Sequence, residues 1–337
     1  MVNTGCDWRD CAPVASPAVI VRLGEVARVQ GTPRGEDAGM PEATALTTNI
    51  SDVALIFEGG GMRGAYTSPV VRTLLAEHLY FDWVAGISAG SSNLVNYLSR
   101  DPVRAKKSFV EFAEDPNFGN VGTFLRGKGM FNAEYIYEHT AGPDEALPFD
   151  FETFRANPAR RRVGTFEADT GRTLYWTEDD LDTLASVMKR VRASSTMPVI
   201  MPPVELDGHV YIDGALGESG GIPLDAAKAD GFTKFFVVLT QERDYVKKPI
   251  KAPWLFDAYF RKFPAAAQAV QTRHLRYNRT RRELFDLEAA GQAYLFVPDR
   301  MVIENGTRNV NQLGAAFAVG TAQARREVPR WREFLGM

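Results

Sequence analysis

The chain opens its readable part with a continuous apolar run, Val53-Ala54-Leu55-Ile56-Phe57, the pattern of a strand buried on both faces of a parallel sheet. A glycine-rich stretch follows, and Val70 to His78 then has helical spacing. A second short run, Trp83-Val84-Ala85, leads through a turn into Ser91 to Leu98, which reads as the start of a helix. These are two successive strand–loop–helix units. Arg162 to Ala168 and Arg172 to Thr177 flank Asp169-Thr170-Gly171 and predict a hairpin. Leu181 to Ser194 has helical period, and Pro198, Pro202 and Pro203 end it in a rigid connection. Val204 to Leu206 and His209 to Ile212 flank Asp207-Gly208, a strong tight-turn signal. Phe235 to Thr240 and Tyr294 to Pro298 read as further buried strands. Residues 254–292 and Val310 to Leu335 read as helix.

Two regions lack this order. Residues 1–50 scatter Pro, Gly, Ala and Thr without a hydrophobic period and are expected to form a disordered tail, with Met40 as an alternative start. Asp101 to Pro158 is aromatic-rich and irregular; Phe118, Phe124, Phe131, Tyr135 and Tyr137 fall there. It reads as an insertion packed on the core in preference to an acyl-binding wall or lid. Residues 241–253 bring charges and two prolines, so a boundary is expected near 245. The expected organisation is a tail (1–50), a catalytic domain (51–245) and a mostly helical region (246–337) packed on it.

Composition narrows the function. The 337 residues are 45% hydrophobic and 24% charged, as in globular domains. The net charge of -3, with no basic block carrying interleaved aromatics, points away from nucleic acid. Both cysteines, Cys6 and Cys11, lie near the N-terminus, so no disulfide framework is expected. Four histidines without a Cys/His cluster predict no zinc site. No apolar run reaches the roughly 18 residues of a membrane span. The patch Pro13 to Val21 follows Asp7, Arg9 and Asp10 where a signal peptide has a basic stretch. The chain reads as cytoplasmic. The aromatic segment Pro253 to Phe263, with flanking cations, offers peripheral membrane contact or, as the plainer reading, a helix packed on the core. The sequence sets no oligomeric state.

Gly86-Ile87-Ser88-Ala89-Gly90 lies between a strand and a helix, the context of a nucleophile elbow. The sharp turn exposes a serine hydroxyl over the positive helix end, and glycines at either side avoid collision with neighbouring backbone. A second stretch, Glu58-Gly59-Gly60-Gly61-Met62-Arg63-Gly64, also fits the dinucleotide pattern G-x-G-x-x-G. The next strand, however, ends in Gly86-Ile87-Ser88 and not in the acidic residue that a ribose needs. The other use of such a loop, from Gly59 to Gly64, is an oxyanion hole of backbone N–H groups. Arg63 would add positive field there or form a surface ion pair.

The base is sought among histidines first. His274 sits in the strongly basic Arg273-His274-Leu275-Arg276, His209 lies in a strand beside a turn, and His78 and His139 look like helix residues. None fits. Asp207 is accounted for by its turn. Asp213 ends an apolar strand and is followed by Gly214, Ala215 and Gly217, which let a substrate or helix approach. Desolvation there would raise its pKa and help it accept the Ser88 proton.

The glycine stretch 58–64, Gly86 to Gly90, and Asp213-Gly214-Ala215 resemble, in that order, the three motifs of the patatin-like phospholipases. Arg192 to Pro198 is similar to the segment those proteins carry ahead of the aspartate. The resemblance spans Val53 to Thr240. It implies a three-layer α/β/α fold with a mostly parallel central sheet, continued here by a helical C-terminal extension. It also implies a Ser–Asp dyad hydrolysing lipid acyl esters without a metal or cofactor. Ser88 would be the nucleophile, Asp213 the base, and Gly59, Gly60, Gly61, Met62, Arg63 and Gly64 the oxyanion loop, with Gly86, Gly90, Gly214 and Ala215 as supporting positions. Two departures stand out. Pro69 is tolerable only in the first turn of its helix, and Ala215 replaces a second glycine. The rival readings are a short-chain carboxylesterase or thioesterase on the same fold, and a non-catalytic protein whose elbow holds an anion or nucleotide.

Overall fold

Eight strands form one sheet, in the order β5-β6-β3-β2-β1-β7-β8 with β4 also paired to β3. They are β1 (Ala54–Phe57), β2 (Trp83–Ile87), β3 (Arg160–Glu167), β4 (Arg172–Trp176), β5 (Val204–Leu206), β6 (His209–Asp213), β7 (Phe235–Val238) and β8 (Ala293–Phe296). The structure, a computed structural model, describes residues 46–337. The expected tail up to residue 45, with Cys6, Cys11 and Met40, lies outside the described residues. Asn49 and Ile50, placed in that tail by composition, are hydrogen-bonded to Tyr80, and Ile50 bridges Phe81.

The continuous apolar runs became the sheet's centre. β1 pairs in parallel with β2 and β7, β7 with β8, and β2 with β3. Every residue of β1, β2, β7 and β8 is buried, because helices cover both faces. Leu55, Phe57, Val84 and Phe236 face a core shared with α1 (Gly64–Ala76), α2 (Ala89–Leu98), α7 (Leu184–Ser194) and α11 (Val310–Leu335). Ala54, Ile56, Trp83 and Val237 face the opposite core, with α8 (Leu224–Ala229) and α10 (Pro264–Ala289). The architecture is α/β/α in three layers with a mostly parallel sheet. Residues 246–337 contribute β8 as well as helices.

The insertion between α2 and β3 folds into short helices: α3 (Pro102–Lys107), α4 (Val121–Leu125), α5 (Ala133–Glu138) and α6 (Phe151–Ala156). α1 begins at Gly64, six residues before the periodic stretch, so Pro69 lies in its second turn and not its first. Thr73 Oγ1 donates to the Pro69 carbonyl at 2.9 Å, and Gly320 of α11 lets the Tyr66 carbonyl approach to within 2.1 Å of where a Cβ would stand.

β3 decides where the site lies. β4 occupies one of its edges along Val163 to Glu167. The other edge is divided: β2 pairs with Arg160 to Gly164, and β6 with Thr165 to Glu167. The ends of β2 and β6 therefore meet beside Gly164 and Thr165. The residue after Ile87 is Ser88, and the partner of Thr165 is Asp213.

Candidate active site

Ser88 stands between β2 and α2 with φ 55° and ψ -126°, a conformation costly for a residue with a Cβ, on the order of 1–3 kcal/mol. The turn is tight enough that a Cβ on Gly90 would lie 2.2 Å from the Phe57 carbonyl oxygen, and one on Gly86 2.2 Å from that of Gly90. The elbow is held from outside as well. The Ser88 N–H donates to Ser194 Oγ at 2.9 Å, and that hydroxyl donates to the Gly164 carbonyl at 2.5 Å. Ser194 thus links the elbow to β3, from the end of α7. Replacing it with alanine strands two buried polar groups, and stability is expected to fall by roughly 1–3 kcal/mol. Thermal melting of Ser194→Ala checks this; an unchanged melting temperature would show that the link carries no load.

Asp213 is buried at the end of β6. Its Oδ1 accepts the Ala215 N–H at 2.9 Å, and its own N–H donates to the Thr196 carbonyl. Burial raises its pKa; Arg273, the Ala215 N–H, the Ser88 hydroxyl and Lys247 pull it partly back. The serine hydroxyl is thus near enough to act on the carboxylate, with no direct hydrogen bond between them among the described residues. Lys247, from the segment after β7, is itself drawn down to about 7, by desolvation first and then by Arg273 and Arg63, against the pull of Glu58 and Asp213. These cations come from outside the three motifs, apart from Arg63, and had no sequence signal as partners of the aspartate.

The glycine loop follows β1 and lies against the elbow. A Cβ on Gly59 would be 3.1 Å from that of Ser88. Four of its six amides already have acceptors: Gly59 donates to Gly221, Met62 to Asn305, Arg63 to Gly60, and Gly64 to Gly61 and Met62. Among the described residues, the N–H groups of Gly60, Gly61 and Ala89 have none. Gly61 has φ 54°, and a Cβ there would sit 2.5 Å from the Asn305 carbonyl oxygen, so the loop needs glycine at that position. The Arg63 side chain is not in an ion pair among the described residues, and its Nε is buried without a partner. Glu58, just ahead of the loop, accepts the Thr240 N–H at 2.6 Å and the Tyr277 hydroxyl at 2.7 Å, tying β1 to β7 and α10.

Ser88, Ala89 and Gly61 open on a cavity of about 80 Å³ whose other walls are mostly apolar, among them Phe118, Phe131, Leu147, Met188 and Val191. Phe118, Phe131 and Tyr137 of the insertion, for which the sequence favours core packing over an acyl-binding wall, line it; Phe124 is exposed, and Tyr135 stacks on Phe112. Among the described residues no histidine lines the cavity. His209 begins β6, four residues or roughly 13 Å of strand from Asp213, and bonds Asp169 at 2.7 Å. His274 turns to the Gln271 carbonyl. His78 and His139 fall just past the ends of α1 and α5. Glu167, Asp169 and His209 converge closely enough to hold a cation, but the Arg172 guanidinium already sits on Glu167 at 2.8 Å. Among the described residues no helix is long and apolar enough to cross a membrane.

The sequence model of the patatin-like phospholipases matches residues 55–228, and that of a domain of unknown function (DUF6363) matches residues 263–336. An uncharacterized protein, YjjU of Escherichia coli (strain K12), is 30% identical over 199 residues, 56% of this chain and 52% of that protein. The chain spans about half the length of that relative. The crystal structure of VipD from Legionella pneumophila aligns over 88% of this chain and 72% of that one, with a TM-score of 0.45 and 10% identity.

Proposed function

The chain belongs to the patatin-like phospholipase family, and from that premise we propose that it is a cytoplasmic serine acyl hydrolase that cleaves lipid esters through a Ser88–Asp213 dyad. The observation that carries this reading is a strained serine that opens with the Gly61 and Ala89 amides on one apolar cavity, with the buried Asp213 carboxylate beside the serine at the joined ends of β2 and β6. Ser88 Oγ attacks the ester carbonyl as Asp213 takes its proton. The carbonyl oxygen, now negative, is received by the free amides of Gly60 and Gly61, with Ala89 at the helix N-terminus adding positive potential. The alcohol leaves with a proton returned through Asp213. Water, deprotonated by the same carboxylate, then releases the acid from the acyl-enzyme. Asp213 is a weaker base than imidazole, so oxyanion stabilisation supplies much of the rate.

A lipid substrate also requires a surface from which to leave the bilayer, and the outside of the cavity fits one. Phe124 and Leu125 of α4, Val199, and Trp254, Leu255 and Tyr259 of α9 (Pro253–Tyr259) are 38–79% exposed. They belong together: Met130, after α4, donates to the Ile200 carbonyl, the Tyr259 hydroxyl lies near the Val199 backbone, and Met197 and Met201 of the same connection line the cavity. Exposed Arg126, Lys128, Lys251, Arg261 and Lys262 flank them, without ion-pair partners among the described residues. The packed-helix reading of this segment also holds in part, since Phe260 is buried. An apolar rim with unpaired cations suits an anionic lipid surface. The protein is expected to release fatty acid from phosphatidylglycerol-containing vesicles and to sediment with them. Leu125→Ser with Trp254→Ser should lower both at least tenfold, since each large side chain contributes about 1.5–3 kcal/mol when buried. Wild-type turnover confined to short-chain soluble esters would replace the lipid reading with that of a carboxylesterase.

A further inference from the structure

The far end of the cavity does not suit a plain hydrocarbon. Ser88, Ser92 and Val95 line it along one face of α2, so it runs about 10 Å from the elbow at 1.5 Å per residue. Beyond them stands Arg104 of α3, only 6% exposed yet part of the cavity wall. Its Nη1 donates to Asn96 Oδ1 at 2.5 Å, its Nε reaches the Leu147 carbonyl at 3.4 Å, and the guanidinium lies 5.0 Å from the Phe149 ring centroid. A guanidinium carries five N–H donors, and among the described residues no hydrogen bond from Nη2 and no carboxylate within 4 Å accounts for the rest. Asp101, the nearest acidic group acting on it, uses Oδ1 to cap α3 through the Val103 and Arg104 amides. Desolvation draws the Arg104 pKa down to about 10. The Tyr137 hydroxyl acts on the same guanidinium and has one partner, Ser92 Oγ at 3.3 Å.

Buried charges are ordinarily paired. Here no carboxylate of the described residues lies within 4 Å, Asp101 acting only from farther away, and the unpaired N–H groups border a cavity that opens at the nucleophile. We propose that Arg104, with Tyr137, is a specificity site for acyl groups that end in a carboxylate, so that half-esters of dicarboxylic acids are cleaved faster than plain acyl esters of equal length, which remain slower substrates. The terminal carboxylate supplies the missing counter-ion, accepting from Arg104 Nη2 and from the Tyr137 hydroxyl, while the chain lies along the apolar walls and the ester carbonyl rests at Ser88. A methyl terminus leaves the guanidinium desolvated and unpaired. The proposal rests on the acyl-hydrolase reading for the direction of the chain, and its test is arranged to separate the two.

The test compares p-nitrophenyl hydrogen suberate with p-nitrophenyl octanoate, esters of equal chain length that differ at the far end. Wild type is expected to favour the suberate at least tenfold in kcat/KM. Arg104→Met and Arg104→Gln, the second keeping a donor toward Asn96, should bring the ratio to unity or below. A ratio is read because losing the Asn96 and Leu147 contacts would lower both rates together. Suberate is also expected to raise the melting temperature of wild type more than octanoate does, which needs neither turnover nor a folded variant. If neither ester is cleaved but suberate still stabilises, the site stands and the hydrolase reading falls. Preference for octanoate, or an equal ratio in wild type and a folded variant, would overturn the proposal.

Discussion

Ser88→Ala is expected to lose ester turnover by roughly 10⁴-fold or more while melting as wild type does. On the proposed mechanism, the loss follows from removing the attacking hydroxyl. The residual rate is the part contributed by the glycine-loop amides and the cavity, which the substitution leaves in place. The fold should not notice. The backbone N–H of residue 88 still donates to Ser194 Oγ, and alanine carries the same Cβ and therefore the same strain at φ 55°. Ser88→Gly separates chemistry from strain. It is equally inactive but relieves the left-handed conformation, and it should melt higher. Turnover assays with calorimetry on the three proteins check the pair of effects. Near wild-type activity in Ser88→Ala would remove the serine from the chemistry.

Asp213→Asn is expected to cost roughly 10²–10⁴-fold, the usual contribution of a general base, because an amide oxygen of the same shape can still accept the Ala215 N–H but cannot take a proton. The pH profile carries a second signature. Burial raises the Asp213 pKa, with Arg273 and Lys247 opposing. The acid limb of kcat/KM should therefore lie above the ordinary carboxylate range and vanish in Asp213→Asn. Stability runs the other way. Between the ordinary and the raised pKa the folded chain binds more protons than the unfolded one, so the contribution of this group declines as pH rises through that window. At neutral pH the buried charge is a liability, and Asp213→Asn should melt at the same temperature as wild type or higher. A variant that is both inactive and much less stable would make Asp213 a structural residue.

Much of the frame was legible. Val53 to Phe57, Trp83 to Ala85 and Phe235 to Thr240 read as buried strands because residues enclosed on both faces must all be apolar, whatever lies beside them. Asp207-Gly208 marked its hairpin because only such residues take φ values of 53° and 82° cheaply. Ser88 was legible for the same local reason: the elbow writes its steric demands into Gly86 and Gly90. What periodicity cannot report is the partner. Nothing in Arg192-Ala193-Ser194 says that this hydroxyl will join an elbow to β3. The stretch Pro102-Val103-Arg104-Ala105-Lys106-Lys107 is equally silent: nothing in its three cations tells that the fold buries Arg104 alone among them. The edge of β3, shared by β2 and β6, is likewise a property of pairing, and it is that edge which brings residues 88 and 213 together.

The most direct measurement is covalent capture with a fluorophosphonate, followed by peptide mapping of the adduct in wild type, Ser88→Ala and Asp213→Asn. One adduct is expected in wild type, on Ser88, absent from Ser88→Ala and formed far more slowly in Asp213→Asn. An adduct on another residue, or ester turnover by a protein whose Ser88 stays unlabelled, would contradict it.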